Sequence, residues 1–482
     1  MSVEKERLVE PRLLRGFRDY LPEHVIARQK MIATIKTVYE RYGFVPLETP
    51  ALEYTETLLG KYGDEGTKQI FRFIDLEGND VAMRFDLTVP LARVVAQYPL
   101  LPRPFRRYQV GPVWRFDKPD PGRFREFIQF DLDTVGSASM AADAEIISGI
   151  CDTMEALGIK RYRVRCSNRK ILNSLIAFAD IEPSRGSQVF RVLDKLDRIG
   201  PQGVWEELTT GRVDASGDVI PGLGFNVEAV TRIDQFLHLP AGTGAEILDA
   251  VSKLFTGVPG AEEGINELRS IDEYLAALGI SEEKVVFDVT IARGLDYYTG
   301  PIFETILLDA PEFGSVFGGG RYDGLVERFL GEKIPATGGS FGVDRLLAAL
   351  LKLEVVELKP STAQVLVTVM DRSRLVDYQR VTRELRLAGI NAELYLGEEK
   401  SIRKQLQYAD RQKIPVAVII GPDEFSRGEV SIKDLMEGIR RQHEVSGRSE
   451  WLKARFGQVT VAREKMLEVI REILDTEQGV IK

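Results

Sequence analysis

Arg293-Gly294-Leu295-Asp296-Tyr297-Tyr298-Thr299-Gly300 lies between two apolar runs, Val285-Val286-Phe287 and Pro301-Ile302-Phe303-Glu304-Thr305-Ile306. Such runs read as strands, so one arginine, one aspartate and two tyrosines sit beside or within a sheet. A sheet core has no use for that set. An arginine in this setting needs a carboxylate or a phosphate as partner. The octet therefore predicts a polar site on the sheet.

Downstream, Gly318-Gly319-Gly320-Arg321-Tyr322-Asp323-Gly324 allows close approach of the backbone to a ligand or a sharp turn. It lacks a Walker lysine and the spacing of a dinucleotide fingerprint. Gly338 to Leu347 then turns a strand into a helix, with Arg345 in the first turn, at the end where anions are favoured. Upstream, Gly111-Pro112-Val113-Trp114-Arg115-Phe116-Asp117 and Arg123-Phe124-Arg125-Glu126-Phe127 flank a Pro/Gly loop, and predict an antiparallel hairpin with a charged tip. Arg115 and Arg123 could grip separated phosphates, and Phe127 could stack on a base; a solvated basic hairpin is the plain alternative. On the following strand, alternation puts Gln129, Asp131 and Asp133 on one face and Ile128, Phe130 and Leu132 on the other. That pattern fits a polar pocket floor or a solvent face.

The remainder bounds the answer. A chain of 482 residues holds about three domains. Its 44% hydrophobic and 28% charged residues are those of an ordinary globular protein. No apolar run approaches the ~20 residues that cross a bilayer, and the charged N-terminus does not resemble a secretory signal, so a cytoplasmic protein without membrane contact is expected. Cys151 and Cys166 read as reduced structural thiols. His24, His238 and His443 are too scattered for a metal site or a serine triad. A net charge of −9 argues against non-specific coating of nucleic acid but not against a local basic footprint.

Along the chain, a helix is expected over residues 25 to 42, capped by Gly43, then a Pro-bearing strand from Phe44 to Pro50, which belongs on an edge. Strands dominate residues 71 to 135, and a helix covers 142 to 157. Residues 170 to 281 read as a helical insertion with a loose glycine cluster near 210 to 224. After a linker at 356 to 362, strands at 365–370, 392–396 and 416–420 alternate with helices at 373–388 and 400–413. This predicts a small βαβαβ domain with a parallel sheet over 363–445. Residues 446–482 read as a tail. Its amphipathic helix, with Met466, Ile470, Ile473 and Leu474 on one side, is expected to pack on the protein's own body.

In this order, the octet and the Gly-rich Arg-Tyr-Asp-Gly run resemble signatures of histidyl-tRNA synthetases. The helix with its Pro-bearing strand, the arginine hairpin and Gly342-Val343-Asp344-Arg345 resemble the three motifs of class II synthetases. The resemblance covers nearly the whole chain. It implies an α+β catalytic domain with a mostly antiparallel class II sheet, divided into residues 1–169 and 282–355 by the insertion, and a C-terminal anticodon-binding domain. It implies a homodimer that takes L-histidine, ATP with Mg²⁺, and tRNA(His). By position, Asp86, Thr88 and Gln129 would hold the histidine ammonium, Asp133 and Tyr298 the imidazole, and Tyr322 would line the amino-acid pocket. Arg115 and Arg293 would serve catalysis at the α-phosphate, Arg123 and Arg345 would hold distal phosphates, and Phe127 would serve ATP binding. The common acidic-Gly-Thr is here Asp86-Leu87-Thr88, the pocket acid is the shorter Asp133, and the His-Glu-Arg after the hairpin arginine is Phe116-Asp117-Lys118. The alternative is a non-catalytic paralogue that regulates histidine biosynthesis. Those paralogues lack the C-terminal domain and often lose the motif arginines; this chain keeps both.

Overall fold

The computed structural model describes residues 9–59, 68–118, 124–214, 217–240, 242–292, 297–436 and 457–480. The chain forms two compact units. One comprises the residues up to Asp19 with Lys30–Val356, the other Tyr20–Gln29 with Glu357–Lys482.

The helix Pro22–Arg41, whose part from Lys30 onward belongs to the first unit, ends at Gly43, whose φ of +77° suits the expected glycine cap. The Pro-bearing strand shrinks to β1 (Val45–Pro46), which lies at the edge of the main sheet, as an absent ladder donor requires. A small three-stranded sheet follows, made of β2 (Leu52–Tyr54), β3 (Arg72–Ile74) and β4 (Asp80–Met83). The helix Thr88–Gln97 leads into the long hairpin β5 (Phe105–Trp114) and β6 (Glu126–Val135). The helix Met140–Ala156 precedes β7 (Tyr162–Asn168), a strand not anticipated from sequence. Its alternation is obscured by Arg163 and Arg165 on the less buried face.

Among the described residues, six α-helices and a short 3-10 helix lie between Arg169 and Ala277 in the insertion. The glycine cluster there is not loose: it forms a hairpin of β8 (Gly211–Val213) and β9 (Val219–Pro221). The chain returns through β10 (Val285–Phe287), β11 (Pro301–Leu307), β12 (Ser315–Arg321) and β13 (Ala336–Gly342), then the helix Val343–Lys352. The main sheet has eight strands in the order β1-β5-β6-β13-β12-β11-β7-β10. Only β1 with β5 and β10 with β7 pair in parallel; the five other pairs are antiparallel. Cys151 and Cys166 are free and buried; burial pushes both thiols up, Cys151 to about 11, so both are inert thiols.

In the second unit, β14 (Val365–Val367), β15 (Ala392–Leu394) and β16 (Val416–Ile419) pair in parallel with helices between them, as expected. The all-parallel sheet and the end at 445 need correction. β17 (Glu429–Asp434) and β18 (Gln458–Ala462) extend the sheet in antiparallel pairing, giving β15-β14-β16-β17-β18. The helix Met466–Val480 buries Met466, Ile470 and Leu474 in the same core as Val365, Val418 and Ile432. The last helix is a structural layer of the domain, because its stripe shares with Tyr378, Val381 and Leu385 the cover of one face of the sheet.

Candidate active site

The polar floor is built by register. Across the β5–β6 hairpin, Arg107 faces Asp133, Gln109 faces Asp131 and Gly111 faces Gln129. On the other side of β6, Gly338 faces Asp133, Ser340 faces Asp131 and Gly342 faces Gln129. Asp131 and Asp133 are buried on one face of β6, and Phe130 and Leu132 are buried on the other. The floor is therefore interior, not a solvent face.

Arg107 is fully buried. Its Nη2 lies 2.8 Å from Asp133 Oδ2 and 3.6 Å from Asp131 Oδ2, and donates to the Leu87 carbonyl at 3.0 Å. Asp86 and Thr88 join at the start of the helix Thr88–Gln97. Asp86 Oδ1 accepts the amides of Thr88 and Val89 at 3.1 and 3.0 Å, and the Thr88 hydroxyl donates to Asp131 Oδ2 at 3.3 Å. The buried Tyr322 hydroxyl donates to Asp133 Oδ1. Tyr322 thus holds Asp133, one of the expected pocket residues. Burial pushes Asp131 up to about 7, with Arg107 opposing and Asp133 reinforcing the shift. Asp133 is raised by burial and likewise opposed by Arg107. Burial, with the carboxylates of Asp133, Asp131 and Asp86, keeps the Tyr298 phenol protonated.

Gln129 and Tyr298 line a cleft of about 370 Å³, the size of a small-molecule site. Arg115, Phe127, Glu304, Ser340, Asp344 and Arg345 also line it. Arg115 Nε donates to the Phe85 carbonyl at 3.1 Å, and its guanidinium lies over the rings of Phe85 and Phe127, 4.3 and 5.2 Å from their centroids. Arg345 donates to the Ser315 carbonyl at 2.7 Å, and Asp344 accepts the Ile128 amide at 2.9 Å. A single carbonyl contact leaves further donors on the Arg115 guanidinium for an anion in the cleft. Arg123 and Arg293 lie outside the described residues.

The glycines of β12 and β13 serve packing as much as ligand approach. A Cβ at Gly338 would stand 2.2 Å from Asp133 Oδ1, and one at Gly320 would stand 2.6 Å from the Pro301 carbonyl, whereas Gly318 opens on the cleft. Sequence reading also missed Glu304, a buried carboxylate of the cleft wall bonded to Arg165 Nη1 at 2.9 Å. Its signal was a glutamate inside an apolar strand. Arg107 had a weaker signal, one of two adjacent arginines, of which Arg106 pairs with the half-exposed Glu145.

A mostly antiparallel sheet carrying a buried acidic floor and an arginine-lined cleft is what a class II aminoacyl-tRNA synthetase would present. The comparisons with known proteins agree. Residues 16–346 match the family model of histidyl-tRNA synthetase, and residues 364–473 match that of an anticodon binding domain. A histidine–tRNA ligase of Paracoccus denitrificans is 48% identical, over 95% of this chain and 97% of that protein. The crystal structure of histidyl-tRNA synthetase from Nostoc sp. PCC 7120 superposes with a TM-score of 0.79 at 33% identity, over 96% of this chain and all of that one. A Bacillus halodurans structure described as an ATP phosphoribosyltransferase regulatory subunit/histidyl-tRNA synthetase shares the fold, with a TM-score of 0.67 at 23% identity, over 83% of this chain. The chain belongs to the histidyl-tRNA synthetase family.

Proposed function

We propose that this chain is a histidine–tRNA ligase that activates L-histidine with ATP and transfers it to the 3′ end of tRNA(His). The observation that carries this reading is the acidic floor of Asp86, Asp131 and Asp133 set against an arginine-lined cleft, in a chain that matches histidine–tRNA ligases along its length. A regulatory paralogue has less support, since the match includes the C-terminal domain.

In the first step a carboxylate oxygen of histidine attacks the α-phosphorus of ATP. The bond to the bridging oxygen breaks, and pyrophosphate leaves. In the second, a hydroxyl of the terminal tRNA ribose attacks the carbonyl carbon and AMP leaves. Neither step needs a protein nucleophile. What accelerates them is orientation, together with cationic donors aimed at the charge that develops on the phosphate. Asp86, Thr88 and Gln129 take the ammonium, and Asp133 and Tyr298 take the imidazole. Arg115 and Arg293 act at the α-phosphate, and Arg123 and Arg345 hold the distal phosphates. Phe127 stacks on the adenine beside Arg115.

Mg²⁺ would be held chiefly by the phosphates. Such an ion needs only one or two protein carboxylates, and Glu304 and Asp344 on the cleft wall fit that requirement. It would neutralise phosphate charge.

For tRNA, the second unit offers a concavity lined by Arg383, Arg386, Tyr395 and Tyr408, a pairing of cations and rings suited to single-stranded bases. Arg403, Lys404, Arg411, Lys413, Arg427 and Lys433 add basic groups on or beside this domain's elements, of which Lys404, Lys413 and Arg427 are paired with Glu399, Glu357 and Glu429. Deleting residues 357–482 tests the division of labour. Histidine-dependent ATP–pyrophosphate exchange should persist while charging of tRNA(His) falls severely. Charging at the full-chain rate by the folded truncation would refute the anticodon role.

A further inference from the structure

We infer that Arg107 is a positioning residue for amino-acid recognition: set between Asp131 and Asp133 on the floor of the site, it orients both and favours their charged, hydrogen-bond-accepting forms for the cationic groups of the substrate. The inference rests on the reading of this floor as the histidine pocket. Among the described residues Arg107 is the largest fully buried side chain. A structural ion pair of that depth would be balanced in charge and saturated in hydrogen bonds. This one is neither. Three buried carboxylates, Asp86, Asp131 and Asp133, share the cluster. Arg107 Nε and Nη1 and Asp131 Oδ1 have no hydrogen-bond partner among the described residues. Arg84 contributes positive charge from nearby, but its own bonds go to the carbonyls of Thr49 and Pro112. The other groups facing the cluster are neutral: Tyr39 from the helix Pro22–Arg41, Thr88, Tyr298, Tyr322 and Ser340. Among the described residues the floor thus carries an excess of acidic groups over cations that an ammonium group would relieve.

The chemical consequence is directional. Burial favours the protonated acids, and Arg107 is the strongest influence against it. Without Arg107 both acids would keep a proton to higher pH than they do beside it, and a neutral carboxyl group holds an ammonium poorly. The test is steady-state ATP–pyrophosphate exchange across pH with Arg107→Met and Arg107→Lys in the full chain. The ratio of mutant to wild-type KM cancels the titration of histidine itself. Arg107→Met should raise the histidine KM about tenfold or more at neutral pH, and the excess should shrink as pH rises, because its profile moves up by about one unit or more. The ATP KM should stay within about twofold. Arg107→Lys, which keeps the charge, should follow the wild-type pH profile, and it carries the test alone if Arg107→Met does not fold. A histidine KM ratio for Arg107→Met that is flat with pH, equal changes in both KM values, or a shifted profile in Arg107→Lys would overturn the inference. Asp133→Ala separates the two failures. If it leaves the histidine KM unchanged, the pocket reading itself is wrong; if it raises that KM while Arg107→Met does not, only the role of Arg107 falls.

Discussion

Asp133 is the residue on which we propose that specificity turns. It is buried, it accepts the Tyr322 hydroxyl, and it lies 2.8 Å from Arg107. Sites of this kind reject substrates that lack the matching polar group by roughly 10⁴ or more, because their own buried groups would be left unpaired. Asp133→Ala should therefore raise the histidine KM far more than the ATP KM in exchange assays; equal effects on both would contradict the role. Alternation alone made Gln129, Asp131 and Asp133 legible as one polar face. It could not say whether that face met water or the interior. That depends on what β5 and β13 lay across it, and the register of a pairing is not visible in either strand by itself. Arg107 was illegible for the same reason: its meaning comes only from the acids opposite.

At the scale of elements, the glycines of β13 show how tightly the sheet constrains the site. An alanine at Gly338 would press its methyl against both Asp133 Oδ1 and the Leu132 carbonyl, at 2.2 and 2.4 Å. One of these contacts is with backbone and cannot rotate away. Gly338→Ala should cost about 1–3 kcal/mol by overpacking and raise the histidine KM, read from a thermal melt and an exchange assay. Unchanged melting and kinetics would mean that the strands have room to spare. Helices and the β14–β16 alternation were legible because their periods are long and regular. β17 and β18 were not. Each buries few side chains, Val430 and Ile432 being the buried apolar pair of β17, and the β18 face is largely exposed. Missing them made the last helix look like a tail, although its stripe of Met466, Ile470 and Leu474 was readable.

At the scale of the whole molecule, β1 leaves a sheet edge that Pro46 cannot extend, and Val45, Leu52 and Tyr54 are exposed beside it. We propose that a second copy covers this surface around residues 25–55, forming a symmetric dimer. Light scattering at micromolar concentration should report twice the chain mass; a fully active monomer would refute the dimer. The central claim is that the acidic floor and the arginine-lined cleft form one site for one amino acid. ATP–pyrophosphate exchange measured with each standard amino acid in turn tests it most directly. The account predicts exchange with histidine and none above background with the others. Exchange driven by another amino acid, or no exchange with histidine in the folded protein, would contradict it.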